Sequence, residues 1–360
     1  MKTYLLLALL CFGIPCIAQE IVVDSSLLST PPAKPLNYDT NYIHRFGDVI
    51  AIEPWISAPS FEFSLEPKID SLAYKRNDYQ PHLRDVVGFD ISYRAFTVSI
   101  GFKGRVIEED EPVYGKTNYS IIKIRLNSKP FVYEFYHNTF NGFADYNSSA
   151  YDHNRPQSTP FIKRRDIAVQ YTKLKLIYIF SKKKFSYGAA YSFTERQKKT
   201  KATALAVAHV YRMRTNADSA FFNQGQQGLF SKYDSLKRLQ VYSIGLGPGF
   251  AVTFVEKRWF FSIGAYIMAD LQYHTSNNTN NRIISEGWRG ALLGDIFVSA
   301  GYNANWFYAG IVARGDRNLV SLPDVNASTS FYNTVLSIGF RFNPPKIIPK
   351  LYDASPLKYL

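Results

Sequence analysis

The chain has 360 residues, a formal net charge of +13 and an aromatic content of 16%. Both cysteines, Cys11 and Cys16, lie in an apolar N-terminal run, so the rest of the chain can form neither a disulfide nor a thiolate metal site. No later stretch approaches ~20 consecutive apolar residues, which excludes a membrane-spanning helix and leaves a soluble β-protein or a β-barrel.

The N-terminus has the features of a secretory signal. One lysine, Lys2, precedes a short apolar run that ends at the small residue Ala18, and this order predicts a signal peptide over residues 1–18, cleaved after Ala18. Residues 19–47 are polar and rich in proline. They are predicted to form a periplasmic leader with little structure of its own.

From residue 48 to residue 342 the chain alternates between polar and apolar positions, and no helical periodicity of comparable length appears. Most segments have nine or more residues, the length that a tilted membrane strand needs and more than a soluble sandwich usually uses. The predicted strands are 49–58, 60–66, 86–94, 96–103, 118–127, 130–138, 167–180, 185–194, 202–213, 239–254, 258–274, 291–302, 306–314 and 331–342.

The segment 258–274 shows the pattern most clearly. Its odd positions, from Trp259 to Tyr273, are all apolar, whereas the even positions include Ser262, Asp270 and His274. Aromatic residues stand at both ends of the apolar face. A strand of this kind is typical of lipid outside, water inside and aromatic rings at the two interfaces.

These patterns predict an all-β fold, an antiparallel transmembrane β-barrel of 12 to 14 strands, with 12 preferred. In this strand order the tight turns of the first half of the chain lie at one end of the barrel and those of the second half lie at the other, with the change between residues 180 and 240. Either one strand in that region is miscounted or some of the outer loops are short. The best candidates for long outer loops are residues 145–160 and 216–234. A soluble periplasmic β-sandwich that binds a ligand is the alternative fold.

The last predicted strand ends on alternating aromatic residues at Phe340 and Phe342, which resembles the C-terminal signal of the barrel-assembly machinery. Residues 343–360 follow it, rich in proline and lysine, and are predicted to form a periplasmic tail. The expected partners are therefore the export and assembly machinery, membrane lipid and lipopolysaccharide. Basic runs such as 163–165 and 182–184 suit solvated turns or lipid phosphates, and nucleic acid is not an expected partner.

Charged residues on the polar parity of these strands are expected to face the lumen. The candidates are Asp90, Arg94, Lys103, Lys123, Arg125, Glu134, Asp270 and Arg341. No histidines stand close enough to suggest a metal site, and no cofactor motif is present, so neither a metal nor a cofactor is predicted.

Three blocks resemble one family. They are Asp39-Thr40-Asn41-Tyr42-Ile43, the block from Lys183 to Ala190 (Lys-Lys-Phe-Ser-Tyr-Gly-Ala-Ala), and Glu195-Arg196-Gln197-Lys198-Lys199. Together they are similar to the family called domain of unknown function 4421, found in exported proteins of Gram-negative bacteria. The resemblance covers about residues 39–342 and implies an outer-membrane location, with no activity attached.

One short motif could carry chemistry. His274-Thr275-Ser276-Asn277 has the spacing of outer-membrane acyl hydrolases, and positions two apart on a strand share a face, so His274 could activate Ser276. Glu286 or Asp270 could orient the imidazole. An outer-membrane lipid esterase or deacylase is therefore an alternative function.

The leading expectation is a non-enzymatic β-barrel in the cell outer membrane, serving passive transport, ligand binding or an envelope-structural role. Its barrel domain is expected over residues 48–342. The charged inner parity indicates a lumen that is hydrated or partly plugged.

Overall fold

The computed structural model describes residues 37–68, 75–104, 111–128, 130–154, 156, 158, 160–223, 226 and 228–359. The predicted signal, residues 1–18, and residues 19–36 of the predicted leader lie outside the described residues. None of the helices in the described ranges is long and apolar enough to cross a membrane.

Twelve strands form one antiparallel ring, which closes because the last strand pairs with the first as well as with its predecessor. The all-β barrel prediction and the preferred count of 12 are therefore confirmed, and a two-sheet sandwich is wrong. The ring strands are β2 (Ile50–Pro67), β4 (Val86–Tyr93), β5 (Phe96–Lys103), β6 (Asn118–Ser128), β7 (Phe131–Asp145), β8 (Ile162–Ile179), β10 (Lys201–Asn216), β11 (Leu236–Glu256), β12 (Trp259–Asn278), β13 (Ile283–Asn303), β14 (Phe307–Ser321) and β15 (Val325–Phe342).

Three short strands stand apart from the ring pattern. β1 (Ile43–Arg45) and β9 (Glu195–Gln197) form a separate two-stranded sheet, and β3 (Asn77–Gln80) bridges β2 and β7 near their ends. The remaining elements are the helices α1 (Glu111–Tyr114), α2 (Tyr187–Tyr191) and α3 (Ile347–Ala354) and the 3₁₀ turns Ser148–Ala150, Ser231–Tyr233 and Pro356–Tyr359.

Two strand predictions are wrong, and correcting them resolves the turn problem. Segments 49–58 and 60–66 are one strand, β2, which runs through Pro59. Segment 185–194 is not a barrel strand, because it contains the buried helix α2. With these changes the connections 94–95, 129–130, 257–258 and 304–306 all fall at one end of the barrel, and two connections at the other end, 279–282 and 322–324, are short as well.

The two ends of the barrel therefore differ. The short-turn end, called the inner end, also carries the start of β2 and the end of β15. The opposite, outer end carries most of the long connections, including 146–161 and 217–235, whereas the long connection between β8 and β10 lies at the inner end. Short turns face the periplasm in barrels of this kind, so the inner end has the expected periplasmic character.

The barrel wall follows the parity that the sequence predicts. Along β12, Ile267 is 62% exposed, whereas its neighbours Tyr266 and Met268 are buried. Large apolar side chains are exposed on eleven of the twelve ring strands, for example Ile56, Phe89, Leu174 and Leu292, and on β7 the outward aromatic side chains are half-buried. The outer surface therefore presents hydrocarbon-compatible groups around the ring.

Aromatic side chains border this apolar surface above and below. At the inner end, Trp259 packs against Tyr302 with ring centroids 5.1 Å apart, and toward the outer end Tyr273 packs against Trp288 at 5.3 Å. Trp259 and Tyr273 are fourteen residues apart, which at ~3.3 Å per residue and a strand tilt of ~40° gives about 35 Å between the two aromatic levels. This matches an apolar band flanked by two aromatic girdles.

The connection after β10 folds over the outer end of the lumen. Phe222 stacks on Phe230 at 3.5 Å between ring centroids, and Phe221 packs against Phe63 of β2 at 5.6 Å. The side-chain amide of Asn77 in β3 donates to Gln226 and Asp145, at 3.1 and 2.6 Å. We call this layer, residues 217–236 with β3, the outer cap.

Candidate functional site in the barrel lumen

Halfway along the lumen, inward residues of five strands form a layer of ion pairs. Arg125 of β6 donates to Glu134 of β7 at 2.9 Å, and Lys175 of β8 lies 3.5 Å from the same carboxylate and 3.0 Å from Asp295 of β13. Arg314 of β14 also contacts Asp295, at 3.0 Å. Lys173 and Asp316 extend the layer, 3.6 Å apart. Four cations thus face three carboxylates.

Tyrosines satisfy part of this charged layer. Tyr136 donates to Glu134 at 2.6 Å and Tyr266 donates to Asp295 at 2.6 Å. The guanidinium of Arg125 lies 4.4 Å from the ring centroid of Tyr191, and that of Arg314 lies 4.7 Å from Tyr136. Hydrogen bonds and cation–π contacts of this kind offset the desolvation of buried charges.

Two smaller polar groups flank the layer. Asp90 accepts from the Trp55 indole at 2.6 Å and from Ser99, and Tyr308 donates to Glu53 at 2.9 Å. On the other side of the lumen, His209 lies 3.0 Å from Asp270, which also accepts from Ser243 at 2.7 Å. In the described ranges no three His, Cys, Asp or Glu side chains are grouped as metal ligands.

The connection between β8 and β10, residues 181–200, turns back into the lumen from the inner end, and we call it the plug. All five residues of its helix α2 are buried. Ser186 caps this helix by accepting from the Ala189 amide at 2.9 Å, a favourable N-cap. Tyr187 and Tyr191 pack edge-on against Phe297 of β13, at 5.6 and 5.3 Å between centroids.

The barrel wall holds the plug by polar contacts as well. Arg341 of β15 donates to the carbonyls of Phe193 and Ala304, and to Oδ1 of Asn303 at 2.9 Å. Asn303 in turn donates to the Glu195 carbonyl at 3.0 Å, and Ser299 donates to the Ala190 carbonyl. Cavities of about 70 and 60 Å³ remain between the plug and the wall, both lined by Lys123 and Tyr191.

The last residues of the predicted leader are structured and bind the plug. β1 pairs with β9 so that His44 lies opposite Arg196, and Arg45 forms an ion pair with Glu195 at 2.7 Å. The Asp39 amide donates to the Lys183 carbonyl at 2.8 Å. The three blocks that carry the family resemblance therefore meet in space, at the inner end of the barrel.

Burial and charge at this end shift the pKa of several titratable groups, among them His44 and Asp48. Burial, reinforced by Arg196, Lys198 and Arg341, lowers the pKa of His44. The hydrogen bond from Arg94 lowers the pKa of Asp48. The inner end is thus electropositive around the β1–β9 sheet.

The structure gathers most of the charged residues that sequence predicted for the lumen. Asp90, Arg125, Glu134, Asp270 and Arg341 are buried inside the ring. Lys123 points toward Tyr191, 5.4 Å from the ring centroid, and Lys103 donates to the Thr117 carbonyl at 3.0 Å. Arg94 is the exception, because it occupies the β4–β5 turn with φ of 50° and binds Asp48 and Asp353 at the inner end.

Sequence reasoning missed five of the seven charged residues of the ion-pair layer. Lys173, Lys175, Asp295, Arg314 and Asp316 all lie on the buried parity of their strands. The sequence contained a signal for three of them, since Lys175, Asp295 and Arg314 each stand between apolar or glycine residues of the opposite parity. A complete parity assignment along β8, β13 and β14 would have found them.

The proposed hydrolase residues are separated by their contacts. His274 and Ser276 are both buried on the inward face, yet the His274 imidazole binds Ser285 at 3.2 Å and Ser276 donates to the Ser285 carbonyl at 2.9 Å. Glu286 accepts from Tyr273 at 3.1 Å, an aromatic residue on the outward parity of β12. Asp270 binds His209 and Ser243 instead.

The fold and the lumen define a closed, internally plugged β-barrel. The model of a family described as a domain of unknown function (DUF4421) matches residues 37–342, and the chain belongs to this family. No curated protein matches the chain.

Solved structures with a similar fold include the outer membrane protease OmpT from Escherichia coli, which is 8% identical, with 82% of this chain and 97% of that chain covered and a TM-score of 0.38. The toluene transporter TodX of Pseudomonas putida is 8% identical, with 83% and 91% covered and a TM-score of 0.25. Neisserial surface protein A is 5% identical, with 81% and 97% covered and a TM-score of 0.24. Similarity at this level transfers no residue role to this chain.

Proposed function

We propose that this protein is an outer-membrane β-barrel that is closed at rest, so that any passage of solute through it requires the plug to move. The observation that carries the proposal is the ring of twelve strands with an apolar outward parity and a charged inward parity. Such a wall is stable only with hydrocarbon outside.

The closed state is supported from both ends of the lumen. The plug fills the inner half and is held by Arg341, Asn303 and Ser299, while the outer cap packs aromatic rings across the outer half. Between them the ion-pair layer crosslinks β6, β7, β8, β13 and β14. A barrel filled in this way suits ligand binding or gated transport better than free diffusion.

Fractionation tests the location. We expect the protein in the outer-membrane fraction, soluble only with detergent, and shifted in gel mobility by heating in dodecyl sulfate. Recovery in the soluble periplasmic fraction without detergent would refute the barrel proposal.

Planar-bilayer conductance tests the closed state. The wild type is expected to show almost no steady current, whereas a variant with residues 185–194 replaced by a glycine-serine linker of equal length is expected to conduct in discrete steps. Truncation after residue 345 is the matched control, since it removes an inner-end segment but leaves the plug. A wild type that conducts like the plug variant would contradict the proposal.

A further inference from the structure

Three arginines point outward from the barrel wall toward its outer end. Arg212 and Arg214 lie on β10 and Arg238 lies on β11, each on the parity opposite to buried residues such as Met213 and Leu239. We call them the arginine stripe. An outward arginine on a barrel strand is unfavourable within hydrocarbon, so the height of the stripe matters.

The strand register places the stripe at and above the outer aromatic girdle. Arg212 lies opposite Tyr242, which lies opposite Tyr273 of the girdle. Below Arg212 the outward residues of β10 are apolar, among them Val210, Ala208 and Ala206. Arg214 and Arg238 stand further toward the outer end. The stripe therefore begins where the apolar band ends, at the level of lipid headgroups.

The stripe concentrates positive charge without acidic partners. Arg214 and Arg238 both donate from Nε to Oδ1 of Asn216, at 3.1 and 2.8 Å, so their Nε atoms are less than about 6 Å apart. Arg212 lies over the Tyr242 ring at 5.5 Å. Within the described part of the chain no carboxylate pairs with these guanidiniums.

The cross-strand neighbours are neutral as well. Arg212 lies opposite Thr172 and Tyr242, and Arg214 lies opposite Gln170 and Gln240. Two guanidiniums that converge on one neutral oxygen repel each other unless an anion joins them. Arginine forks match phosphate oxygens in charge and in bidentate geometry.

We propose that the arginine stripe binds the phosphate groups of a phosphorylated lipid headgroup in the outer leaflet, with Thr172, Gln170 and Gln240 as neutral hydrogen-bonding partners. The inference rests on the proposed outer-membrane location. A lipid-borne phosphate is favoured over a free one because the stripe lies directly above outward apolar residues, where acyl chains would pack while the headgroup meets the guanidiniums.

The test compares the full-length protein with the triple variant Arg212→Gln/Arg214→Gln/Arg238→Gln, each in nanodiscs of neutral phospholipid. A matched control is Arg317→Gln, which removes an exposed arginine of β14 away from the stripe. Binding of added bisphosphorylated lipid A is measured by native mass spectrometry, alongside dephosphorylated lipid A and inorganic phosphate.

We expect the triple variant to bind bisphosphorylated lipid A about ten- to a hundred-fold more weakly than the wild type, and Arg317→Gln to bind as the wild type does. Dephosphorylated lipid should bind the wild type as weakly as the triple variant binds the phosphorylated lipid. Equal binding by wild type and triple variant overturns the proposal, and so does competition by millimolar inorganic phosphate. The heat-induced mobility shift, recorded on the same samples, reports separately whether the barrel itself is intact.

Discussion

At the scale of single residues, the inward and outward side chains of the barrel have opposite requirements. Inward side chains contact protein and charged groups, whereas outward side chains contact hydrocarbon. Glu134 is 1% exposed and lies between Arg125 and Lys175. The negative charge of Glu134 therefore balances the buried charges of Arg125 and Lys175. Neutralising Glu134 leaves these two cations with one carboxylate fewer.

We expect Glu134→Gln to lower the free energy of unfolding by about 3–5 kcal/mol, the usual effect of breaking a buried ion pair. Urea unfolding in detergent micelles, read by the heat-modifiable gel shift, measures it. Glu66→Gln, on the partly exposed outward parity of β2, is the control and should change stability by less than about 0.5 kcal/mol. Equal effects of the two substitutions would show that the ion-pair layer adds nothing to stability.

The wall makes a second prediction at this scale. Ile267 lies near the middle of the apolar band and is 62% exposed, so Ile267→Arg should cost about 2–4 kcal/mol. Ile283, also exposed but at the outer end of β13, should accept arginine at a cost of about 0–1 kcal/mol. Folding into lipid vesicles under a urea gradient compares the two. A cost independent of height would argue against a lipid-facing wall.

At the scale of elements, sequence identified the ring strands but not the plug. The alternation of polar and apolar residues shows that successive side chains of a strand lie in two different environments. Along β12 these environments are the lipid and the lumen. Residues 185–194 have the length and the aromatic content of a strand, but α2 is buried on all sides. Nothing local in the sequence distinguishes a segment that crosses lipid from one that enters the lumen.

The division of β2 into two predicted strands at Pro59 also has a physical explanation. A proline usually ends a strand because it lacks an amide donor. Pro59, however, lies beyond Ser57, where the β2–β4 pairing ends, and it pairs only with Asn333 of β15 at that height. Among the described residues the β4 side of β2 has no strand partner at that height, so Pro59 interrupts no β2–β4 hydrogen bond.

The β1–β9 sheet gives a prediction about pH. The pKa of His44 is below its ordinary value of 6.5, because of burial and the nearby cations, so the folded sheet favours neutral histidine. Its stability is therefore complete above about pH 6.5 and falls as the pH drops below that value, where unfolded histidine takes up a proton that the folded form resists. Asp48 does not contribute between pH 5.5 and 8, since Arg94 lowers its pKa.

Hydrogen exchange of the Lys198 amide, which donates to the Tyr42 carbonyl, measures this effect. After correction for the intrinsic rate, protection should be weaker at pH 5.5 than at pH 8 in the wild type. The variant His44→Asn carries no titrating group at this position and should show the same protection at both values. If the protection of the Lys198 amide in the wild type did not change with pH, protonation of His44 would not destabilise the β1–β9 sheet.

At the scale of the whole molecule, closure of the ring depends on the contact between the first and last strands. β2 and β15 pair from Pro67 with Val325 to Ile50 with Phe342, along the full height of the barrel. Sequence indicated the aromatic end of β15 but could not give its partner, because a pairing between residues so far apart in the chain depends on the number and shear of all the strands between them.

A disulfide across this contact tests the closure. In a chain with Cys11 and Cys16 replaced by alanine, the pair Ala58→Cys/Thr334→Cys should oxidise readily, because these residues lie directly opposite each other in the register and the Cα atoms of such partners are about 4.5–5.5 Å apart. The offset pair Ala58→Cys/Leu336→Cys keeps the same outward parity but lies diagonally, at about 7–8 Å, and should oxidise poorly. Non-reducing gels of the folded protein distinguish the two, since only a chain linked between β2 and β15 runs differently after heating. Equal yields from both pairs would mean that β2 and β15 slide past each other, and a ring that slides at this contact could not hold the plug in the register that Arg341 and Asn303 require.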